Sequence, residues 1–143
     1  MVKTIQVKKL DKMNGTLPTR AHPEDAGLDI YASKSVSYNP GEIILVPTSV
    51  AIDIPKGTVG MVRDRSSMGK KGLKVTAGII DAGYTGEVNV VLLNLSGKHG
   101  CIQKGDRIAQ LLILPIALPE VIEVDEFTTH SERGGKGFGS TGR

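Results

Sequence analysis

The chain has 143 residues, 39% of them hydrophobic and 23% charged, with a formal net charge of +3 and one cysteine, Cys101. That length makes one ordinary domain, able to bury roughly two-thirds of its unfolded surface without metal or disulfides, and the apolar share excludes a disordered chain. One cysteine excludes an intrachain disulfide framework and a multi-cysteine zinc site, and so mild a charge does not by itself point to nucleic acid. No apolar run approaches the roughly 18 residues of a spanning helix, and Met1-Val2-Lys3-Thr4 starts no signal peptide, so a soluble, intracellular, cytoplasmic protein is expected. Glycine is abundant at 18 residues, whereas the aromatics number five: Tyr31, Tyr38, Tyr84, Phe127 and Phe138.

Short Val-, Ile- and Leu-rich runs follow one another along the chain. Strands are expected at Val2 to Leu10, Glu42 to Val46, Val50 to Ile54, Thr58 to Arg63, Glu87 to Leu95, Arg107 to Leu114 and Val121 to Phe127. Val50, Ile52 and Ile54 alternate with Ala51 and Asp53, the period-two pattern of a half-buried strand. Turns are expected at Asn39-Pro40-Gly41, Pro55-Lys56-Gly57, Ser96-Gly97-Lys98 and Lys104-Gly105-Asp106. No apolar stripe at helical spacing lasts three turns, and only Ser66 to Lys71 can form a turn or two. Many short strands at regular spacing imply an all-β sandwich or barrel. Residues 1–130 make one domain; 131–143, with five Gly in thirteen residues and one apolar side chain, cannot order itself by burial and reads as a flexible arm.

Three segments carry chemistry. Gly137-x-Gly139-x-x-Gly142 has the form of a dinucleotide fingerprint, but one residue follows it, so no helix can receive a pyrophosphate. Glycine backbone with Arg133, Lys136, Ser140 and Thr141 still suits an anion. Between Arg63 and Lys74, five basic residues surround Asp64, Ser66 and Ser67; such a run is either a solvated face or a phosphate site built on a forked guanidinium. In Thr76 to Glu87, Asp81 follows Ile79 and Ile80 and precedes a Gly-Tyr-Thr-Gly turn. It is either a turn-satisfying carboxylate or a general base that orients water. Asp29, Asp106, Arg107 and Gln110 are polar residues at or inside apolar strands, for which an interstrand Asp–Arg pair is the simplest expectation. His22, His99 and His130 lack ligand spacing, Ser66 and Ser67 have no activating His nearby, and Cys101 reads as a small core residue.

Taken together, AGLDIYA at 26–32, RSSMG at 65–69, AGIIDAGYTGEV at 77–88, GDRIAQL at 105–111 and RGGKGFGSTG at 133–142 resemble, in order and spacing, the five motifs of the homotrimeric dUTPase family. The resemblance implies a jelly-roll-like distorted β-barrel and a trimer with active sites at subunit interfaces. It implies hydrolysis of dUTP to dUMP and pyrophosphate with Mg²⁺, with Asp81 activating the water that attacks the α-phosphate. Backbone groups of Ala77, Gly78, Ile79 and Ile80 would read uracil, Tyr84 would pack on the deoxyribose, and Asn89 belongs to the same substrate-binding set. Arg65, Ser66, Ser67 and Gln110 would hold phosphates, and Arg133 with Gly139, Ser140 and Thr141 would clamp the γ end while Phe138 stacks over the base. Asp29 would reach the metal through water. Ser67, Gly83 and Thr85 depart from the family's commonest residues at their places. The related dCTP deaminases need a glutamate where this chain has Val91, and a purely regulatory nucleotide-binding trimer would not need Asp81 or the arm.

Overall fold

Alternation of buried and exposed aliphatics along short extended segments builds most of this molecule. The computed structural model describes residues 3–131 and 134–135. Among them the strands are β1 (Gln6–Lys9), β2 (Leu28–Tyr31), β3 (Val36–Tyr38), β4 (Ile43–Val46), β5 (Val50–Asp53), β6 (Thr58–Arg63), β7 (Leu73–Ala77), β8 (Ile79–Ile80), β9 (Val90–Asn94), β10 (Gly100–Ile102) and β11 (Arg107–Pro115). The single helix is α1 (Ser66–Lys70), at the expected place and about one turn long. No helix among the described residues is long and apolar enough to cross a membrane.

All strand pairings are antiparallel. A four-stranded sheet runs β2-β11-β6-β8, a three-stranded sheet runs β4-β9-β7, and β1-β5 and β10-β3 form two-stranded ribbons. The result is an all-β, distorted jelly-roll whose barrel is not closed. On β4, Ile44 and Val46 point inward while Ile43 and Leu45 face out. On β9, Val90 and Leu92 are fully buried. These meet Ile30, Ile52, Ile54, Leu73, Ile108 and Leu111 in one continuous core. Each such side chain contributes about 1.5–3 kcal/mol by leaving water, which is how an aromatic-poor chain fills its interior. Asn94 is the most deeply buried of the polar residues in this core, and it is satisfied. Its amide donates to the carbonyls of Asn39 and Lys98, and its oxygen accepts from Ser96, so it closes the Ser96–Lys98 turn from inside. Gly57, at φ 76°, and Gly105, at φ 87°, occupy turn positions that ask for a left-handed backbone.

Several expectations shift. Val121 to Phe127 forms no strand: the segment runs without a ladder partner, with Val121 and Phe127 almost wholly exposed. An apolar alternation becomes a strand only where another edge supplies its hydrogen bonds. The first strand begins at Gln6, and the run from Glu87 pairs only from Val90, because Glu87 and Val88 turn to meet the corner at Thr48–Val50. No strand is expected from the sequence at β3, β7, β8 or β10; β7 starts only at the end of the basic run, and the others are two or three residues long. Cys101 is exposed, not a core residue, because its neighbour Ile102 takes the inward side of β10.

Candidate functional site

The central strand β11 gathers residues that are far apart in sequence. Its register sets Gln110 opposite Asp29 on β2 and opposite Arg63 on β6. Two residues beyond that end of β6, Arg65 caps α1. Gln110, Asp29, Arg65, Ser66 and Ser67 therefore line one open cleft of about 430 Å³, together with Asp25 and Gly27. Three of the segments singled out in the sequence meet here through two rows of ladder hydrogen bonds.

The cleft is organised around one guanidinium. Arg65 Nε donates to Asp29 Oδ1 at 2.7 Å, and Arg65 Nη1 donates to Ser67 Oγ at 3.3 Å and to the carbonyl of Arg107 at 3.2 Å. A guanidinium has five N–H donors, and Nη2 makes no hydrogen bond to a described residue. Arg65 is thus pinned through Nε and Nη1, which leaves the Nη2 donors without a described partner in a residue that lines the cleft. The hydroxyls of Ser66 and Ser67 are on exposed residues beside it. Arg107 Nη1 also reaches Asp29, at 3.5 Å from Oδ2. The expected Asp–Arg pair therefore forms at Asp29; Asp106 instead accepts the Gln103 N–H within its turn. The Gln110 amide donates to the Asp64 carbonyl at 2.8 Å, and a Cβ on Gly27 would run into this side chain, so Gly27 keeps its path open.

Asp64 ties this cleft to the next strand. Its carboxylate accepts from Lys74 Nζ and from the Val75 N–H. Burial raises its pKa, but these hydrogen bonds and the charges of Lys74 and Arg63 outweigh burial, and the carboxyl sits below its usual value.

A second, smaller cleft of about 200 Å³ lies along the β7–β8 segment, where the chain passes from pairing with β9 to pairing with β6. Ala77, Gly78, Ile79, Ile80, Tyr84 and Asn89 line it, with Val62 and Val91 behind. The Gly78 carbonyl accepts the Val62 N–H at 2.7 Å, and a Cβ on Gly78 would stand 2.4 Å from the Val62 carbonyl oxygen. Glycine is what lets the chain between β7 and β8 lie this close to β6. Asp81 follows Ile80 in an exposed turn closed by Tyr84 N–H donating to the Asp81 backbone carbonyl, and no described residue hydrogen-bonds its carboxylate. The turn-satisfying role thus falls to the backbone of Asp81 and leaves its side chain without a partner among the described residues. The two clefts share no lining residue.

Arg133, Phe138, Gly139, Ser140 and Thr141, named as site residues from the sequence, lie outside the described residues. Arg107 and Glu87 were missed as parts of the site. A basic residue beside a strand aspartate was the available signal for the first; nothing local marked the second.

A family model described as dUTPase matches residues 13–142. A deoxyuridine 5'-triphosphate nucleotidohydrolase from Mycolicibacterium gilvum is 46% identical over 134 residues, covering 88% of this chain and 87% of that one. A protein of the same name from Clostridium tetani is 40% identical over 143 residues, covering 98% and 97%. Among solved structures, the dUTPase of Staphylococcus bacteriophage 80alpha with dUPNHPP superposes with a TM-score of 0.91 at 38% identity, covering 99% of this chain and all of that one.

Proposed function

This chain belongs to the dUTPase family, and from that premise we propose that it hydrolyses dUTP to dUMP and pyrophosphate, limiting uracil in DNA and supplying dUMP for dTMP synthesis. The observation that carries the reading is the meeting of Asp29, Arg65 and Gln110, from three separate segments, around the Arg65 guanidinium in one cleft. The smaller cleft would take uracil, with Ala77 to Ile80 reading its edge and Tyr84 against the deoxyribose. Arg65, Ser66, Ser67 and Gln110 would take the phosphates. Asp81, exposed and without a described partner, orients a water and accepts its proton as the oxygen attacks the α-phosphorus; the bond to the β-phosphate side breaks and pyrophosphate leaves. Arg133, Phe138 and Gly139 to Thr141 belong to an arm, 131–143, that closes over base and γ-phosphate and excludes bulk water.

The described residues hold no cluster of three metal-ligating side chains. Both carboxylate oxygens of Asp29 already face guanidinium nitrogens, so the donor set suits a Mg²⁺ carried by the triphosphate and touched by Asp29 only through water. When bound, Mg²⁺ neutralises charge on the phosphate oxygens.

A homotrimer is part of the same proposal. What supports it is the separation of the two clefts, which one chain does not merge, together with an unpartnered acidic, apolar segment. Leu118, Val121 and Ile122 are exposed among Glu120, Glu123 and Asp125. A groove of about 820 Å³ lined by Ile5, Leu17, Leu28 and Ile113, with Lys3 and Arg20 at its rim, has the complementary character. Val91, which lines the smaller cleft, carries no proton for deamination. Pyrophosphate release from dUTP, dCTP, dTTP and UTP, with ammonia assayed alongside, tests the reading. Release from dUTP alone is expected; equal rates on UTP, or ammonia from dCTP, would overturn it.

A further inference from the structure

Tyr84 is 47% exposed, so packing alone does not hold its ring. Two contacts do. Its hydroxyl donates to the Glu87 carbonyl at 3.0 Å. The ring also crosses Gly86 so closely that a Cβ there would stand 2.5 Å from Oη and 2.7 Å from Cζ. The pose of Tyr84 therefore depends on where the backbone of residues 86–88 lies.

That backbone is gripped from the corner between β4 and β5. Glu87 Oε1 accepts the Ser49 N–H at 2.7 Å. Thr48 Oγ1 donates to the Val88 carbonyl, and the Val88 N–H donates to the Val50 carbonyl at 2.9 Å. Ser49 is the only non-glycine described residue with positive φ, at 56°, and it is buried. Such a conformation persists only where its surroundings over-determine it. Here the Glu87 carboxylate is one of the groups that do so, and the Leu10 N–H, donating to the Ser49 carbonyl, is another.

The geometry points to Gly86 and Glu87 as positioning residues for sugar discrimination. Glu87, anchored on Ser49, fixes the backbone to which the Tyr84 hydroxyl is bonded, and Gly86 leaves the space across which the ring lies. This rests on the reading of Tyr84 as the ring that faces the deoxyribose. A ring held in one pose leaves no room for a 2′-hydroxyl. A ring free to swing outward yields that room, while a deoxyribose is still accepted.

The test compares kcat/KM for dUTP and UTP in the full-length wild type, Gly86→Ala, Glu87→Ala and Glu87→Gln, with thermal melts on each. The dUTP-to-UTP ratio should fall about tenfold in Gly86→Ala and Glu87→Ala, with KM for dUTP moving more than kcat. Glu87→Gln should stay within about threefold of wild type, because a carboxamide oxygen still accepts the Ser49 N–H. An unchanged ratio in Gly86→Ala and Glu87→Ala, whatever their melting temperatures, overturns the inference. So does a Gln variant as impaired as the Ala variant, which would make charge and not hydrogen-bond acceptance the operative property. Should Glu87→Ala fail to fold, Gly86→Ala decides alone, since its added methyl meets a ring able to swing into solvent. A wild type that cleaves dUTP and UTP equally would instead defeat the underlying reading of the site.

Discussion

The two clefts are built by opposite means. The smaller cleft comes mostly from one nearly continuous stretch, Ala77 to Val91, and its lining is backbone placed by glycines together with one aromatic. The phosphate-type cleft comes from three separate segments, and its character rests on charged side chains locked to one another across β2, β11 and the end of β6. Backbone suits the reading of a flat, neutral base edge, where a fixed row of donors and acceptors decides fit. A mobile, highly charged triphosphate is better met by guanidinium and hydroxyl donors, whose charge-assisted hydrogen bonds are the strong ones.

The sharpest way to break this comparison is at the residue between binding and reaction. Asp81→Asn should bind substrate yet lose about 10²–10⁴-fold in kcat, the usual cost of a lost general base. Unchanged turnover in a single-turnover assay would remove Asp81 from that role. Next comes the arm: a chain ending at Glu132 should remain folded and trimeric by light scattering while losing roughly 100-fold in kcat/KM, because the proposed closure would exclude water and complete the phosphate contacts. Full activity in that truncation would reduce the arm to a frayed end.

A smaller effect separates the clefts directly. Asp29→Asn keeps the shape but removes the charge that holds Arg65 Nε, so kcat/KM for dUTP should fall about 10-fold, mostly in KM. Its preference for dUTP over dCTP should stay at the wild-type value, since base reading lies in the other cleft; a collapse of that preference would show the two regions are coupled. The smallest effect concerns Asp64. Because its folded pKa is lowered, its carboxylate stabilises the fold above the unfolded carboxyl value of about 4 and loses that contribution as pH falls through the folded pKa. Wild type should therefore lose about 2–4 °C more in melting temperature than Asp64→Asn between pH 6 and pH 2.5. Parallel curves would mean that the Lys74 pair contributes nothing.

Much of this was legible before any fold was known. The alternation at Val50–Ile54, the glycine turns at Gly57 and Gly105, and the short helical turn at Ser66 are local consequences of side-chain shape and φ preference. The ordered motifs named the family whose model matches residues 13–142. Asp81 and Tyr84 were visible because an acid and an aromatic between glycines are out of place in a plain hairpin.

Long-range pairing was not legible. Nothing near Asp29 in sequence marks Arg65 and Arg107 as its partners, and nothing near Glu87 marks Ser49; each pair is made by strand register. The same reason removed a strand at Val121 to Phe127, where the pattern was right but no strand edge among the described residues answered it. Residue type and spacing, acting within a few bonds, determined the class of fold and the chemistry available. Which charges meet, which hydroxyl is held and which carboxylate stays free were decided by tertiary structure, because hydrogen bonds and ion pairs act over a few ångströms of space irrespective of separation along the chain.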